Sequence, residues 1–469
     1  MANTSAEREA GTSTEREQWG SRLGFVLAAA GSAIGLGNIW RFPYVTAENG
    51  GGAFVVVYLA CIALICLPYL FAELALGRNS QKNPVGAIAA IRKGTPWMLV
   101  GGLCVLTGVF ILSYYGVVAG WALGYIFKAF VAPAAESGAY FSSFVSDATT
   151  VIPLAGVFML ITILVVYGGI EDGIERWAKV LMPILLVLML VVIFRAVTLP
   201  GAGAGLDFYL NPDFSKIDGT VILAGLGQAF FSLSLGMGAM VTYGSYLPKQ
   251  ENLLVSGGYV ALFDTAIALL AGLMIFPALF AMGMEPESGG PALIFVVLPE
   301  VFAEMPLGGF ISAVFFVLLS IAALTSMVSL LEVVIAYFVD ETAWARQGIV
   351  WVMGGAIFLF GLPSGLSQGA VPALTDMSWL VGSQIFGAEP GFLDIMDFIW
   401  GNISLALGAL LISVFVGWVW GTGAAIEELQ QGAGGTFTGT WPSIWAGFLK
   451  YVCPVVIATI LGAILFGVI

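Results

Sequence analysis

The chain of 469 residues contains no histidine, and only 10% of its residues are charged. Without imidazole there is no Ser–His or Cys–His nucleophile pair, no histidine-ligated metal and no histidine proton relay. Cysteine is nearly as scarce. Cys61, Cys66, Cys104 and Cys453 all fall in apolar runs without metal-ligand spacing, and read as small packing residues rather than disulfides. Basic residues are few as well: 16 Lys and Arg stand against 29 Asp and Glu, a net charge of −13, which argues against a nucleic-acid partner.

What the chain has in excess is apolar surface. It is 59% hydrophobic, with a mean hydropathy of +0.99, the composition of a polytopic, all-α membrane protein. Eleven apolar spans fall at approximately 21–45, 52–78, 97–130, 151–168, 177–198, 220–246, 253–283, 308–340, 346–362, 394–422 and 444–468. Residues 1–18 are hydrophilic, show no cleavable signal and read as a cytoplasmic tail. Arg78, Lys82, Arg92, Lys93, Arg176, Lys179, Lys249 and Arg346 all fall in alternate loops, which places those loops in the cytoplasm. Loops 132–150, 284–307 and 363–393 carry no Lys or Arg and read as external. An odd span count puts Ile469 outside. Residues 291–306 are apolar but too short to span, and are expected to form a re-entrant or surface helix in the outer loop.

Two spans break the pattern. In the first, GSAIGLGNIWRFP (31–43) puts Gly31, Gly35 and Gly37 at bilayer depth, followed by Asn38 and Arg41. Glycine lets the backbone leave the helix, and carbonyls freed in hydrocarbon need a partner. A small hard cation beside an Asn amide oxygen is a natural one. Span six repeats the anomaly with Gln228, Ser232, Ser234, Gly236 and Gly238. One such Gly/Ser cluster is ordinary close helix packing. Two clusters five helices apart predict inverted repeats, each opening with a discontinuous helix: 19–200 and 201–422, followed by a loop and last span in 423–469. Asp264, an acid in the run VALFDTAIALL, is costly unless it meets a cation. Thr325 and Ser326 offer adjacent hydroxyls in span eight, and Tyr114–Tyr115 lie at mid-depth in span three.

These residues carry a resemblance. WGSRLGFVLAAAGSAIGLGNIWRFPYVTAENGGGAF, the FFSLSLG run of span six and the LTS of span eight are similar to the neurotransmitter:sodium symporters over most of residues 16–422. Within that family the chain resembles the eleven-span bacterial carriers of hydrophobic amino acids. The resemblance implies the LeuT-type fold of two inverted five-helix repeats plus an eleventh helix.

By the same resemblance, one sodium site would use Ala33, Asn38, Ser232 and Asp264 with the substrate carboxylate. A second would use Gly31, Ile34, Ala322, Thr325 and Ser326. The substrate would lie on Ala33, Gly35, Gly37, Tyr115, Ser232, Ser234 and Ser326, with Ile111, Phe231, Met237, Ser329 and Leu330 around its side chain. Glycine at position 35, where monoamine carriers place an acid, implies an amino acid, and Met237 suits several apolar side chains. Chloride is not required on this reading. Tyr58, Gln228 and Ser232 match the chloride surroundings of the family, but Ala268 stands where chloride-dependent members have Ser, and Asp264 brings its own negative charge. Arg41 and Asp397 would pair as an outer gate above Tyr115 and Phe231. Arg16 and Asp340, with Trp19, Ser245 and Tyr246, would close the inner side. Gly173 and Pro183 match a spacing linked to unwinding of span five.

The expectation is therefore a multi-pass protein of the cell membrane, importing hydrophobic L-amino acids with sodium by alternating access. It is not an enzyme, since Asp264 is the one acid counted as deep and no base accompanies it. A channel would need a continuous polar stripe, which is absent. A binding sensor that does not transport is the remaining alternative.

Overall fold

A computed structural model describes residues 16–131, 137–284, 290–380 and 390–467. Most of the N-terminal tail and Ile469 lie outside the described residues. Among the described residues nine helices are long and apolar enough to cross a bilayer. A tenth crossing is the pair Arg22–Ala33 and Gly37–Glu48, bent by 54°. The remaining expected crossing, span six, is divided into Gly219–Ser232 and Ala239–Gly244.

The unbroken spans are Gly52–Ser80, Met98–Ala129, Ala148–Tyr167, Ile170–Val197, Leu253–Ala281, Gly308–Glu341, Arg346–Leu366, Phe392–Gln430 and Trp441–Leu465. They are spans two to five and seven to eleven, in that order. Spans three and eight pack along each other, and span four and span nine lean on span three. The inner half of span one packs on spans five, seven and eight, and both halves of span six lie on span two. The breaks themselves, at residues 33–38 and 232–239, are thus buried. That is the condition for irregular backbone at membrane depth, where lipid offers no hydrogen bond. The outer loop expected as a re-entrant helix is helical at Leu293–Val297 and Leu298–Ala303.

The breaks follow from sequence. Ser21 caps the first helix by accepting from the Gly24 N–H, and the helix stops where Ile34 turns extended (φ −72°, ψ 100°) just before Gly35. In span six, Gly236 (φ +87°) and Gly238 (φ +76°) take left-handed backbone. A methyl at Gly236 would lie 2.3 Å from the Leu405 carbonyl oxygen, so glycine is needed there both for dihedral and for space. Ser234 shares the left-handed region at φ +53°, a costly conformation for a side-chain-bearing residue that its surroundings must enforce.

Candidate functional site

The two breaks face each other, and their freed backbone groups are partnered by side chains from spans two, three, six and eight. The Ser32 carbonyl accepts from the Ser234 hydroxyl and the Ser326 hydroxyl, each at 3.1 Å. The Leu36 N–H donates to the Tyr115 hydroxyl at 2.9 Å. Gln228 donates to the Gly37 carbonyl at 3.0 Å. Span one is therefore held open by named polar groups, not by flexibility.

Two oxygen-rich clusters flank the break. In the first, the Asn38 amide nitrogen donates to Asp264 Oδ1 at 2.7 Å, to the Asp264 carbonyl at 3.1 Å and to Ser232 Oγ at 3.0 Å. Ser232 Oγ donates to Asp264 Oδ2 at 2.8 Å and lies 3.1 Å from the Tyr58 hydroxyl. Asn38, Ser232 and Asp264 are all fully buried. A carboxylate is expensive to keep there without a positive partner, and no Lys or Arg pairs with it among the described residues. In the second cluster Thr325 Oγ1 lies 3.0 Å from the Ala322 carbonyl and 3.5 Å from the Ile34 carbonyl, and Ser326 Oγ lies 3.4 Å from the latter. Gly31 lets this wall approach: a Cβ there would be 3.2 Å from Thr325 Cβ. The second set is oxygen only, which suits a hard cation; in the first, Asn38 turns its amide nitrogen to Asp264 and Ser232 while its Oδ1 accepts from the Gly35 N–H at 3.3 Å. No group of three or more His, Cys, Asp or Glu that could hold a metal occurs among the described residues.

Between the clusters a cavity of about 310 Å³ runs from the break outward to Gly290, Pro291 and Leu393. Its floor includes Ala33, Gly35, Gly37, Tyr115, Ser234 and Ser326; its apolar wall includes Ile111, Phe231, Met237 and Leu330. Of the residues expected around a substrate side chain, Ser329 does not line this cavity. It is buried behind it, accepting from Ser32 Oγ at 2.7 Å and donating to the Ser326 carbonyl at 2.8 Å.

The residues expected as gates are arranged differently on the two sides. Arg16 donates to both Asp340 oxygens at 2.6 and 2.8 Å and to Ser245 Oγ at 2.7 Å, and its guanidinium covers the Tyr246 ring at 4.6 Å. Trp19 donates to the Tyr243 carbonyl at 3.0 Å. That side is closed. On the other side Arg41 sits over the Phe231 ring at 4.6 Å and reaches Asn402 Oδ1 at 3.5 Å. It makes no ion pair with Asp397 within 4.0 Å; the Asp397 carboxylate and the Tyr114 hydroxyl instead both close on Gly401, where a Cβ would lie 2.7 Å from each. Gly173 lies where span five meets span four, and a Cβ there would be 2.3 Å from the Val165 carbonyl. Pro183 lies within the helix Arg176–Val197.

A model of the sodium:neurotransmitter symporter family matches residues 16–148 and 141–467. The chain belongs to the sodium:neurotransmitter symporter family. It is 40% identical over 447 residues to an uncharacterised sodium-dependent transporter, YhdH, of Bacillus subtilis strain 168, covering 94% of this chain and 96% of that one. It is 35% identical over 468 residues to an uncharacterised sodium-dependent transporter of Haemophilus influenzae, covering 96% and 99%. The crystal structure of MhsT in complex with L-phenylalanine superposes with a TM-score of 0.85 at 44% identity, covering 96% of this chain and all of MhsT. The fold is therefore the LeuT type. A symporter of this family is a sodium-dependent, multi-pass membrane transporter and not an enzyme.

Two residues at the heart of this symporter are absent from the sequence-based site. Ser32 joins spans one, six and eight through three hydroxyls. Glu73, in span two, is fully buried and accepts from the Gly236 N–H at 2.9 Å and from Tyr69 at 3.1 Å. Asp264 is thus not the only acid at depth. An acid within an apolar run was the signal that selected Asp264, and YLFAELALG around Glu73 carries the same signal.

Proposed function

We propose that the protein is a chloride-independent importer of hydrophobic L-amino acids driven by two sodium ions. The reading is supported above all by the meeting of the two breaks. Backbone amides at Gly35–Gly37 and the Tyr115 hydroxyl face the same cavity, beside the Asn38–Ser232–Asp264 cluster. A substrate carboxylate placed there accepts hydrogen bonds from the start of a helix segment, where negative charge is favoured. It also completes the oxygen shell of the first ion, so that binding of the two is coupled directly.

The second ion belongs among the carbonyls of Gly31, Ile34 and Ala322 and the hydroxyls of Thr325 and Ser326. It ties span one to span eight. The substrate ammonium faces the carbonyls of the span-six break. Met237, Phe231, Ile111 and Leu330 form an apolar and partly deformable wall, suited to aliphatic and aromatic side chains alike. Asp264 supplies beside the first ion the negative charge that a bound chloride would otherwise bring.

The basic loops face the cytoplasm in this reading, so the closed Arg16–Asp340 side is the inner one and the cavity opens outward. Substrate and ions enter, Arg41 moves from Asn402 toward Asp397 over Phe231, and the inner contacts then release. At about −100 mV each positive charge carried inward gains roughly 2.3 kcal/mol.

Thermal stability of the purified protein, screened with the twenty amino acids in sodium chloride, choline chloride and sodium gluconate, tests this reading. Hydrophobic amino acids are expected to stabilise in both sodium salts and not in choline. Equal shifts in choline, or shifts confined to chloride, overturn it.

A further inference from the structure

Span ten is too long for one bilayer. Phe392–Gln430 covers 39 residues, about 58 Å of helix against roughly 30 Å of hydrocarbon. Its outer end carries Asp397 at the substrate cavity, and its far end carries Glu428, buried against Arg78. No charged residue falls between Asp397 and Glu427, and that apolar stretch ends in Trp418 and Trp420. Trp418 lies twenty-one residues beyond Asp397, about one hydrocarbon thickness along the helix. It is 55% exposed, which is the position of an interfacial aromatic.

Span eleven meets it at this level. Gly417 brings the two helices together; a Cβ on it would be 3.2 Å from the Lys450 Cα. The widened turn Phe448–Val452 presents the Lys450 carbonyl outward, and the Trp418 indole N–H donates to it at 3.1 Å. The Lys450 ammonium lies 4.3 Å from the Trp418 ring centre and 5.7 Å from that of Tyr451, which is 57% exposed and meets Trp418 edge-on at 5.5 Å. Lys450 is the sole basic residue after Arg346 in the whole sequence. No carboxylate lies within 4.0 Å of it among the described residues.

A cation is thus fixed by two aromatic rings at the membrane boundary and given no anion by the described residues. We propose that Lys450, Trp418 and Tyr451 form a seat for the phosphate of an anionic phospholipid, in the leaflet on the Arg78–Glu428 side. The ammonium supplies the charge and the Tyr451 hydroxyl a second donor. The Trp418 ring holds the lysine at headgroup height rather than letting it extend freely into water. The protein is otherwise strongly acidic, so general attraction to an anionic surface does not account for binding at this one place.

The test reconstitutes the protein in nanodiscs of equimolar phosphatidylcholine and phosphatidylglycerol, releases it into detergent and counts retained lipids by native mass spectrometry. The wild type is expected to retain phosphatidylglycerol over phosphatidylcholine. Lys450→Gln should lose that preference by about five-fold, the factor contributed by one interfacial lysine, while Lys450→Arg keeps it. The Arg variant and unchanged sodium-dependent stability guard against a folding defect. Retention without preference in the wild type, or equal preference in Lys450→Gln, overturns the proposal.

Discussion

Gly35 is a residue at which the break in span one is tightly packed. A Cβ there would lie 2.4 Å from Ser326 Oγ and 2.7 Å from the Tyr115 hydroxyl. Overpacking of this kind costs about 1–3 kcal/mol. Gly35→Ala is therefore expected to weaken amino-acid binding at least about five-fold in equilibrium binding assays. Sodium should still stabilise the protein without substrate, because the Ala322 carbonyl and the Thr325 hydroxyl are not among the atoms that the added methyl meets. Asp264→Asn should do the reverse: it removes the one carboxylate of the Asn38–Ser232 cluster. The sodium concentration for half-maximal binding is expected to rise about ten-fold or more, read from a sodium titration at fixed substrate. At this scale the sequence was most legible where a residue type is out of place. Glycines, an Asn and an Asp in apolar runs stand out against hydrocarbon. Ser32 did not, because a single serine in a membrane helix ordinarily bonds to its own preceding turn, and only the fold shows it facing Ser234, Ser326 and Ser329.

Among the elements, the long spans were readable because apolar length has one meaning in a bilayer. The pairing between elements was not. Arg41 and Asp397 carry opposite charge at matching depth, yet Arg41 reaches Asn402 and covers Phe231 while Asp397 and Tyr114 close on Gly401. One-letter charge gives no information on which rotamer and which state of the gate prevail. The link between spans two and ten was likewise hidden. Arg78 and Glu428 pair at 2.6 Å with both side chains buried, 350 positions apart. Removing one partner strands the other charge, at a cost of about 3–5 kcal/mol. Glu428→Ala is expected to lower the unfolding temperature markedly, whereas Arg22→Ala, in a half-exposed pair with Glu251, should change it little. Scanning calorimetry of the two variants separates these outcomes.

On the scale of the whole molecule, the side that carries Arg16 is tied at several points, and the cavity reaches Gly290, Pro291 and Leu393 on the other. Arg16 clamps Asp340 and Ser245, and Asp340 also accepts from the Asn83 backbone and side chain at 2.7 and 3.0 Å. Arg16→Ala leaves this lock with fewer bonds and should shift the population toward an inward-open form. Cysteines placed below Thr325 are expected to react faster with a polar thiol reagent in that background, and sodium should slow them again by holding span one to span eight. Two interrupted spans five helices apart pointed to inverted repeats, and the resemblance to the symporter family implied the fold. It did not give the balance between open and closed sides, which is a free-energy difference of a few kcal/mol spread over many contacts.

The central claim is that ion and substrate share one interrupted helix, so that a sodium gradient does work on the amino acid. It is tested most directly by uptake of labelled L-phenylalanine into proteoliposomes with sodium outside, potassium inside and valinomycin to set an inside-negative potential. The account predicts transient accumulation above the outside concentration, unchanged when gluconate replaces chloride and abolished when choline replaces sodium. Uptake that only equilibrates, or that proceeds equally in choline, would contradict it.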